Sequence, residues 1–167
     1  MRSTVLLSCS CLLAAAAIAP VFSQSPRPNS TTPIATADGT LDRVRVEVTE
    51  LKRTTGETLT LRFTIVNESS RPLQVSDVGI SDGALITPTD GAAYTIGGVH
   101  LIDPVGKKKY FVVRDSAGAC VCSKFSAVPA GSRGNHWARF PAPPNSVERM
   151  SIVIPSFAPL DDVPVSR

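Results

Sequence analysis

The most distinctive chemical feature of this chain is a pair of cysteines, Cys120 and Cys122, separated by one residue. Residues i and i+2 of a β-strand face the same side, so we expect both sulfur atoms to point together. At full extension their Cα atoms would lie about 6.6 Å apart, near the upper limit for a disulfide, and a kinked loop would bring them closer. We therefore predict a structural disulfide between Cys120 and Cys122.

Two other chemistries are open to this cysteine pair. Reduced thiols bind soft metals, and His100 or His136 are further candidate ligands for such an ion. A redox-active pair, favoured by strain in the small ring, is the second alternative. The spacing does not match a four-ligand structural zinc site, so neither a metal nor a cofactor is predicted. Each histidine is interpreted first as a solvated side chain on a strand.

Three consecutive lysines, Lys107, Lys108 and Lys109, follow a turn signal at residues 103–106. Their simplest interpretation is a solvated hairpin edge, where lysines also discourage pairing with other sheets. The alternative is contact with an anionic partner such as phospholipid headgroups or a wall polymer. Nucleic acid is not expected as a partner, because 17 Lys and Arg against 14 Asp and Glu is too weak a bias.

Trp137 is the only tryptophan, and we interpret it as a core anchor, with an exposed binding anchor as the alternative. The sequence lacks a phosphate-binding glycine loop, a nucleophile elbow and a His-Glu-x-x-His motif. Two histidines offer little acid–base chemistry, so no catalytic residues are predicted. The least favoured alternative is a small enzyme or enzyme inhibitor whose site lies in loops at 81–93 or 124–135.

Short strands are the elements expected to position these residues. The clearest is residues 58–65, where Leu59, Leu61, Phe63 and Ile65 alternate with polar side chains. A change of phase near Ser76 suggests a bulge or a crossing between sheets. With 14 prolines, 11 glycines and turn signals between short apolar runs, the sequence predicts an all-β fold. The expected architecture is an antiparallel immunoglobulin-like sandwich of seven to nine short strands.

The N-terminal region is predicted to be a targeting segment followed by a linker. Arg2 and an apolar run predict a cleaved signal peptide at residues 1–23, too short for a comfortable membrane span, with a lipid anchor or an uncleaved anchor as the alternatives. Residues 24–40 are rich in Pro, Ser and Thr and are predicted to be a disordered linker. Residues 29–31 match the Asn-x-Ser/Thr pattern of N-glycosylation, and we interpret this match as a chance occurrence. The folded domain is expected at residues 41–167, with no transmembrane segment in the mature chain.

Five segments together resemble one family, the exported bacterial immunoglobulin-like domains, some of which precede OmpA-like peptidoglycan-binding domains. These segments span residues 106–115, 120–123, 129–132, 137–144 and 150–155, and the similarity covers about residues 42–165. The resemblance implies a sandwich fold, with Pro129 to Ser132 as the loop before a sandwich strand. It implies no catalytic residues. Anchoring to the cell wall, where the family has it, is not expected of this chain, because no OmpA-like domain follows in this sequence.

These observations predict a secreted or periplasmic binding module of the cell envelope or extracellular space, without catalytic activity. Its partner would be an envelope or extracellular protein or polymer that the sequence does not identify. The alternative is an exported metal- or redox-handling protein that uses Cys120 and Cys122. A bound metal or reactive thiols would favour the alternative, whereas an inert disulfide would favour the binding module.

Overall fold

Antiparallel β-strands make up most of the fold. The computed structural model describes residues 32–55, 57–82, 85–86 and 93–167. Within them the strands are β1 Ala35–Asp38, β2 Val44–Thr54, β3 Thr58–Asn67, β4 Leu85–Ile86, β5 Ala93–Thr95, β6 His100–Asp103, β7 Lys108–Phe111, β8 Lys124–Phe125, β9 Ser132–Pro141, β10 Arg149–Val153 and β11 Leu160–Pro164. One short helix, α1, spans Val75–Val78. The all-β, antiparallel class is confirmed, but the expected seven to nine strands were too few, because two-residue strands show no sequence periodicity.

The strands form three sheets. The first sheet has the order β1-β2-β3-β9, the second has the order β11-β10-β6-β7, and the third contains β4, β5 and β8. Every pairing between these strands is antiparallel. The first sheet contains a long, unbroken pairing between β3 and β9. It runs from Thr58 opposite Pro141 to Asn67 opposite Ser132. That register determines which side chains of β9 share a face with those of β3.

A single buried hydrophobic cluster contains side chains from both four-stranded sheets. Phe63, Ile65 and Phe140 come from the first sheet, and Leu101 and Ile152 come from the second. Burying a side chain of this size contributes about 1.5–3 kcal/mol relative to leaving it exposed. The alternation predicted for residues 58–65 is confirmed, because its apolar members are the ones that enter this cluster.

Two segments of the chain connect the sheets by backbone hydrogen bonds. After β7 the chain reaches β9, where the Val113 N–H donates to the carbonyl of Arg139 at 2.8 Å. Near the C-terminus, the Ser166 N–H donates to the Leu51 carbonyl at 2.9 Å, and the Arg53 N–H donates to the Ser166 carbonyl at 2.9 Å. These bonds occupy backbone groups along edges of the first sheet that would otherwise be open to pairing.

The predicted disordered linker at 24–40 was wrong for its last part, because residues 35–38 form β1. Ala35 and Ala37 lie against the core, and the four residues of β1 are matched with Val48 to Arg45 of β2. Alanine carries little apolar area, so the composition gave no strand signal, and backbone pairing with β2 orders the segment. The domain therefore begins before residue 41. The signal peptide at 1–23 and Asn29 lie outside the described residues.

Two local expectations between residues 73 and 95 were also wrong. The change of phase near Ser76 is neither a bulge nor a strand crossing but the helical turn α1. Asp77 accepts a hydrogen bond from the Gln74 N–H at 2.7 Å, and Gly79 ends the turn in a left-handed conformation. The predicted loop at 81–93 contains β4, which pairs with β5. No helix in the described part of the chain is long and apolar enough to cross a membrane.

Candidate functional site

The cysteine-containing segment, residues 120–123, runs along the outer edge of β9. The Ser123 N–H donates to the Trp137 carbonyl at 2.8 Å, and the Arg139 N–H donates to the Val121 carbonyl at 3.0 Å. The sulfur atoms of Cys120 and Cys122 are in close contact, and their Cα atoms lie 5.3 Å apart. This Cα separation falls within the range of disulfides. The expected same-side arrangement of the two sulfurs is confirmed.

His136 is buried, and its interpretation as a solvated strand histidine was wrong. Its ring packs against Phe63 and Phe125, with ring centroids 5.4 Å away in both cases, and 6% of the residue is exposed. Ser123 Oγ lies 3.3 Å from its Nδ1, and Nε2 has no hydrogen-bond partner in the described part of the chain. Burial lowers the pKa of His136 to about 4, although a hydrogen bond with the Lys124 backbone raises it. The imidazole is therefore neutral at pH 7.

Trp137 points away from the core, so its interpretation as a core anchor was also wrong. Along β9, His136, Ala138 and Phe140 are buried, whereas Trp137 and Arg139 are exposed. Trp137 as a whole residue is 37% exposed. Ala138 and Phe140 have the opposite parity from Trp137, and their face of β9 is the one that packs into the core. The alternative expectation, an exposed tryptophan, matches the structure.

The cysteines and histidines do not assemble into a metal centre among the described residues, where no three His, Cys, Asp or Glu side chains are grouped to hold an ion. His136 contacts Ser123, which follows the cysteine pair, but its ring is enclosed by phenylalanines. His100 lies on β6 of the second sheet, half-buried, with its ring 5.9 Å from that of Phe111. It faces away from the buried Val99 and Leu101, as the sequence predicted.

A second candidate site is the lysine hairpin, which we define as the β6–β7 hairpin carrying Lys107, Lys108 and Lys109. All three lysines are exposed, and β7 is an edge strand of the second sheet. The Asp103 carboxylate holds the turn by accepting hydrogen bonds from the backbone N–H groups of Val105 and Gly106, at 3.0 and 2.9 Å. The solvated hairpin edge predicted from the sequence is confirmed.

The three lysines of the hairpin form no ion pair with a described acidic group, although Asp103 lies directly opposite Lys108 in the register of β6 and β7. Every ion pair among the described residues involves an arginine, and none involves Lys107, Lys108 or Lys109. Val105, at the tip of the same turn, is 89% exposed. The hairpin therefore presents one aliphatic side chain beside three ammonium groups that form no ion pair with a described residue.

A groove of about 600 Å³ lies beside the lysine hairpin. Its lining includes Lys108 and Tyr110 from β7 and Val147 from the segment before β10. That segment is held by Arg53, whose guanidinium donates to the carbonyls of Pro143, Pro144 and Val147 at 2.8, 2.8 and 3.1 Å. The sequence does not indicate that Arg53 binds these carbonyls, because its partners lie some 90 positions away along the chain.

His100 lies on β6 of the lysine hairpin, whereas no described hydrogen bond or ion pair joins the three lysines to Cys120, Cys122, His136 or Trp137. The segment 124–135, proposed as one possible enzyme or inhibitor loop, contains β8 and the start of β9. The other, at 81–93, falls largely outside the described residues. Comparison of the chain with protein-family models, with curated proteins and with solved structures finds no match.

Proposed function

We propose that this protein is an exported binding module that contacts an anionic surface of the cell envelope through its lysine hairpin. The observation that carries this proposal is the set of three exposed lysines on one edge hairpin, none of them in an ion pair with a described residue. Lysines near a negatively charged membrane surface contribute about 1 kcal/mol each. The exposed Val105 at the tip adds an apolar group at the expected point of contact.

The scaffold that we propose for this module is an immunoglobulin-like sandwich. Support comes from the buried cluster that contains side chains of both four-stranded sheets. The chain also passes from β7 in the second sheet to the edge of β9 in the first, a crossing typical of sandwich folds. Export is supported by the apolar N-terminal run and by the close contact of Cys120 and Cys122, since disulfides persist in oxidising compartments.

Co-sedimentation with lipid vesicles tests the proposed contact. The protein is mixed with vesicles of phosphatidylglycerol in phosphatidylcholine, or with vesicles of phosphatidylcholine alone. We expect binding to the first vesicles only. Substituting Lys107, Lys108 and Lys109 together with glutamine removes about 3 kcal/mol of attraction, which weakens binding roughly 100-fold.

A charge-matched control distinguishes binding by the lysine hairpin from a general effect of the net charge of the protein. Arg43, Arg71 and Arg167 are exposed residues outside the hairpin, and their joint substitution with glutamine removes the same charge. We expect this control to bind anionic vesicles nearly as well as the wild type. Equal losses in both triple variants, or no loss in the lysine variant, would show that the lysine hairpin is not the contact surface.

A second candidate function is redox or metal handling by Cys120 and Cys122. It is favoured by the close contact of the two sulfurs at the edge of β9, where Cys122 is half-buried and Cys120 is 9% exposed. Native mass spectrometry of the exported protein, with and without reductant and alkylation, tests it. Thiols that alkylate without reduction, or a bound metal, would support this function. A disulfide that resists alkylation would support the binding module.

A further inference from the structure

The outer face of the first sheet carries the exposed tryptophan within a group of cations. In the register of β2, β3 and β9, Trp137 lies directly opposite Arg62, and Arg139 lies opposite Thr60. Thr60 is in turn opposite Lys52 on β2. Residues directly opposite in an antiparallel sheet project from the same face, and so do residues i and i+2 of one strand. Trp137, Arg62, Arg139 and Lys52 therefore project from one face, and all four are exposed.

Two of these cations have no acidic partner among the described residues. Arg62 is paired with Glu50, with Nε and Oε2 3.0 Å apart. Arg139 and Lys52, which flank Thr60 in the neighbouring row, take part in no described ion pair. The row of Trp137 thus contains a paired cation and an acid, whereas the neighbouring row, with Arg139 and Lys52, supplies positive charge that a bound anion can neutralise. We call Trp137, Arg139 and Lys52 the tryptophan face.

We propose that the tryptophan face binds an acidic polysaccharide whose sugar rings carry carboxylates. An exposed indole is the side chain suited to stacking on the C–H face of a sugar ring, because aromatic side chains bury large areas at binding surfaces. Residues two apart on a strand are separated by about 6.8 Å, so the long side chain of Arg139 reaches the carboxylate of a ring stacked on Trp137. The guanidinium fork matches a carboxylate in bidentate geometry, and Lys52 adds a second cation.

The same features favour a glycan over a single-stranded nucleic acid. Proteins that bind single strands use several aromatic side chains on which successive bases stack. Trp137 is the only aromatic residue among the outward-facing residues of β2, β3 and β9. A single stacking site with adjacent cations suits one sugar ring and its acidic substituent. The tryptophan face shares no residue with the lysine hairpin, so it can be tested independently of the proposed function.

The fluorescence of Trp137 provides a direct test, because it is the only tryptophan in the chain. The full-length protein is titrated with an oligogalacturonate, and a neutral galactose oligosaccharide of the same length is the comparison. We expect a saturable change in Trp137 emission with the acidic oligosaccharide and none with the neutral one. Equal responses to both would overturn the role assigned to Arg139 and Lys52.

Variants examined by isothermal titration calorimetry locate the site. We expect Trp137→Ala and Arg139→Gln each to weaken oligogalacturonate binding at least roughly tenfold, the order of loss typical when a stacking side chain is removed. Tyr94→Ala removes a different exposed aromatic, on β5, and Arg71→Gln removes an arginine next to α1. Both control variants should bind as the wild type does.

Other outcomes would overturn the proposal. If Trp137→Ala and Arg139→Gln, shown to be folded by circular dichroism, bind oligogalacturonate normally, the tryptophan face is not the site. If binding is lost only on changing Lys107, Lys108 and Lys109 together, the oligosaccharide binds the lysine hairpin instead. Equal affinity for single-stranded DNA of the same charge would replace the glycan with a nucleic acid as the partner.

Discussion

The hydroxyl oxygen of Ser123 lies 3.3 Å from Nδ1 of His136, and it also accepts the backbone N–H of Trp137 at 3.2 Å. One serine next to the cysteine pair therefore contacts both the buried imidazole of His136 and the backbone of Trp137. Changes in the segment 120–123 are expected to affect both.

Burial of His136 makes the stability of the protein depend on pH. Its pKa is about 4 in the folded protein and 6.5 in a free side chain, so the unfolded chain binds more protons between these values. The stabilisation is complete above pH 6.5 and is lost as pH falls toward 4, by about 3 kcal/mol in total. The free energy of unfolding, measured with urea at several pH values between 6.5 and 4, should therefore decrease as the pH falls.

The variant His136→Phe identifies the source of this dependence. Phenylalanine keeps a ring packed against Phe63 and Phe125 and removes the titrating group, so the slope between pH 6.5 and 4 should flatten. Glu47, whose pKa is held below its usual 4.5 by hydrogen bonds with Arg133 and Arg45 despite burial, adds to the loss only below about pH 5. An unchanged slope in His136→Phe would show that another group is responsible.

A disulfide between Cys120 and Cys122 would close a very small ring. The loop-entropy relation gives about 1–2 kcal/mol of stabilisation for so short a loop. Reducing the protein, or replacing both cysteines with serine, should lower the free energy of unfolding by about this amount. Urea unfolding of the oxidised, reduced and double-serine forms measures it. A loss far larger than this would mean that the pair supports the edge of β9 in another way.

Arg53 should be important for the segment before β10, because it donates to three carbonyls there. Arg53→Met keeps the aliphatic stem and removes the donors, so we expect a loss of about 2 kcal/mol in unfolding free energy. Hydrogen exchange should rise in residues 142–148. Lys52→Met, at the exposed neighbouring position, is the control and should change the free energy by less than about 0.5 kcal/mol. Similar losses in both variants would refute the role of Arg53.

Binding by the lysine hairpin should weaken with salt. The Debye length falls from about 10 Å at 0.1 M to about 3 Å at 1 M ionic strength, so exposed lysines lose most of their attraction to anionic headgroups. Co-sedimentation with phosphatidylglycerol vesicles across this range measures the effect. Binding that survives high salt would indicate insertion of Val105 rather than contact by Lys107, Lys108 and Lys109.

Much of the fold could be predicted from local patterns. The alternation at residues 58–65 predicts a strand with one buried face, and the turn signal at 103–106 predicts the lysine hairpin. The spacing of Cys120 and Cys122 predicts that their sulfurs lie on one side. These features depend on residues close together in the chain. The antiparallel all-β class follows from them without knowledge of any long-range contact.

Only the tertiary structure decided which face of β9 is buried and where the first sheet begins. Trp137 has the larger apolar area, but Ala138 and Phe140 place the opposite face of β9 in the core, so His136 is buried and Trp137 is exposed. β1 is ordered by backbone pairing with β2, and the small side chains of Ala35 and Ala37 do not indicate a strand in the sequence. Arg53 finds its carbonyl partners far along the chain. In each case the deciding interaction joins residues distant in sequence, and local residue patterns carry no information about such pairings.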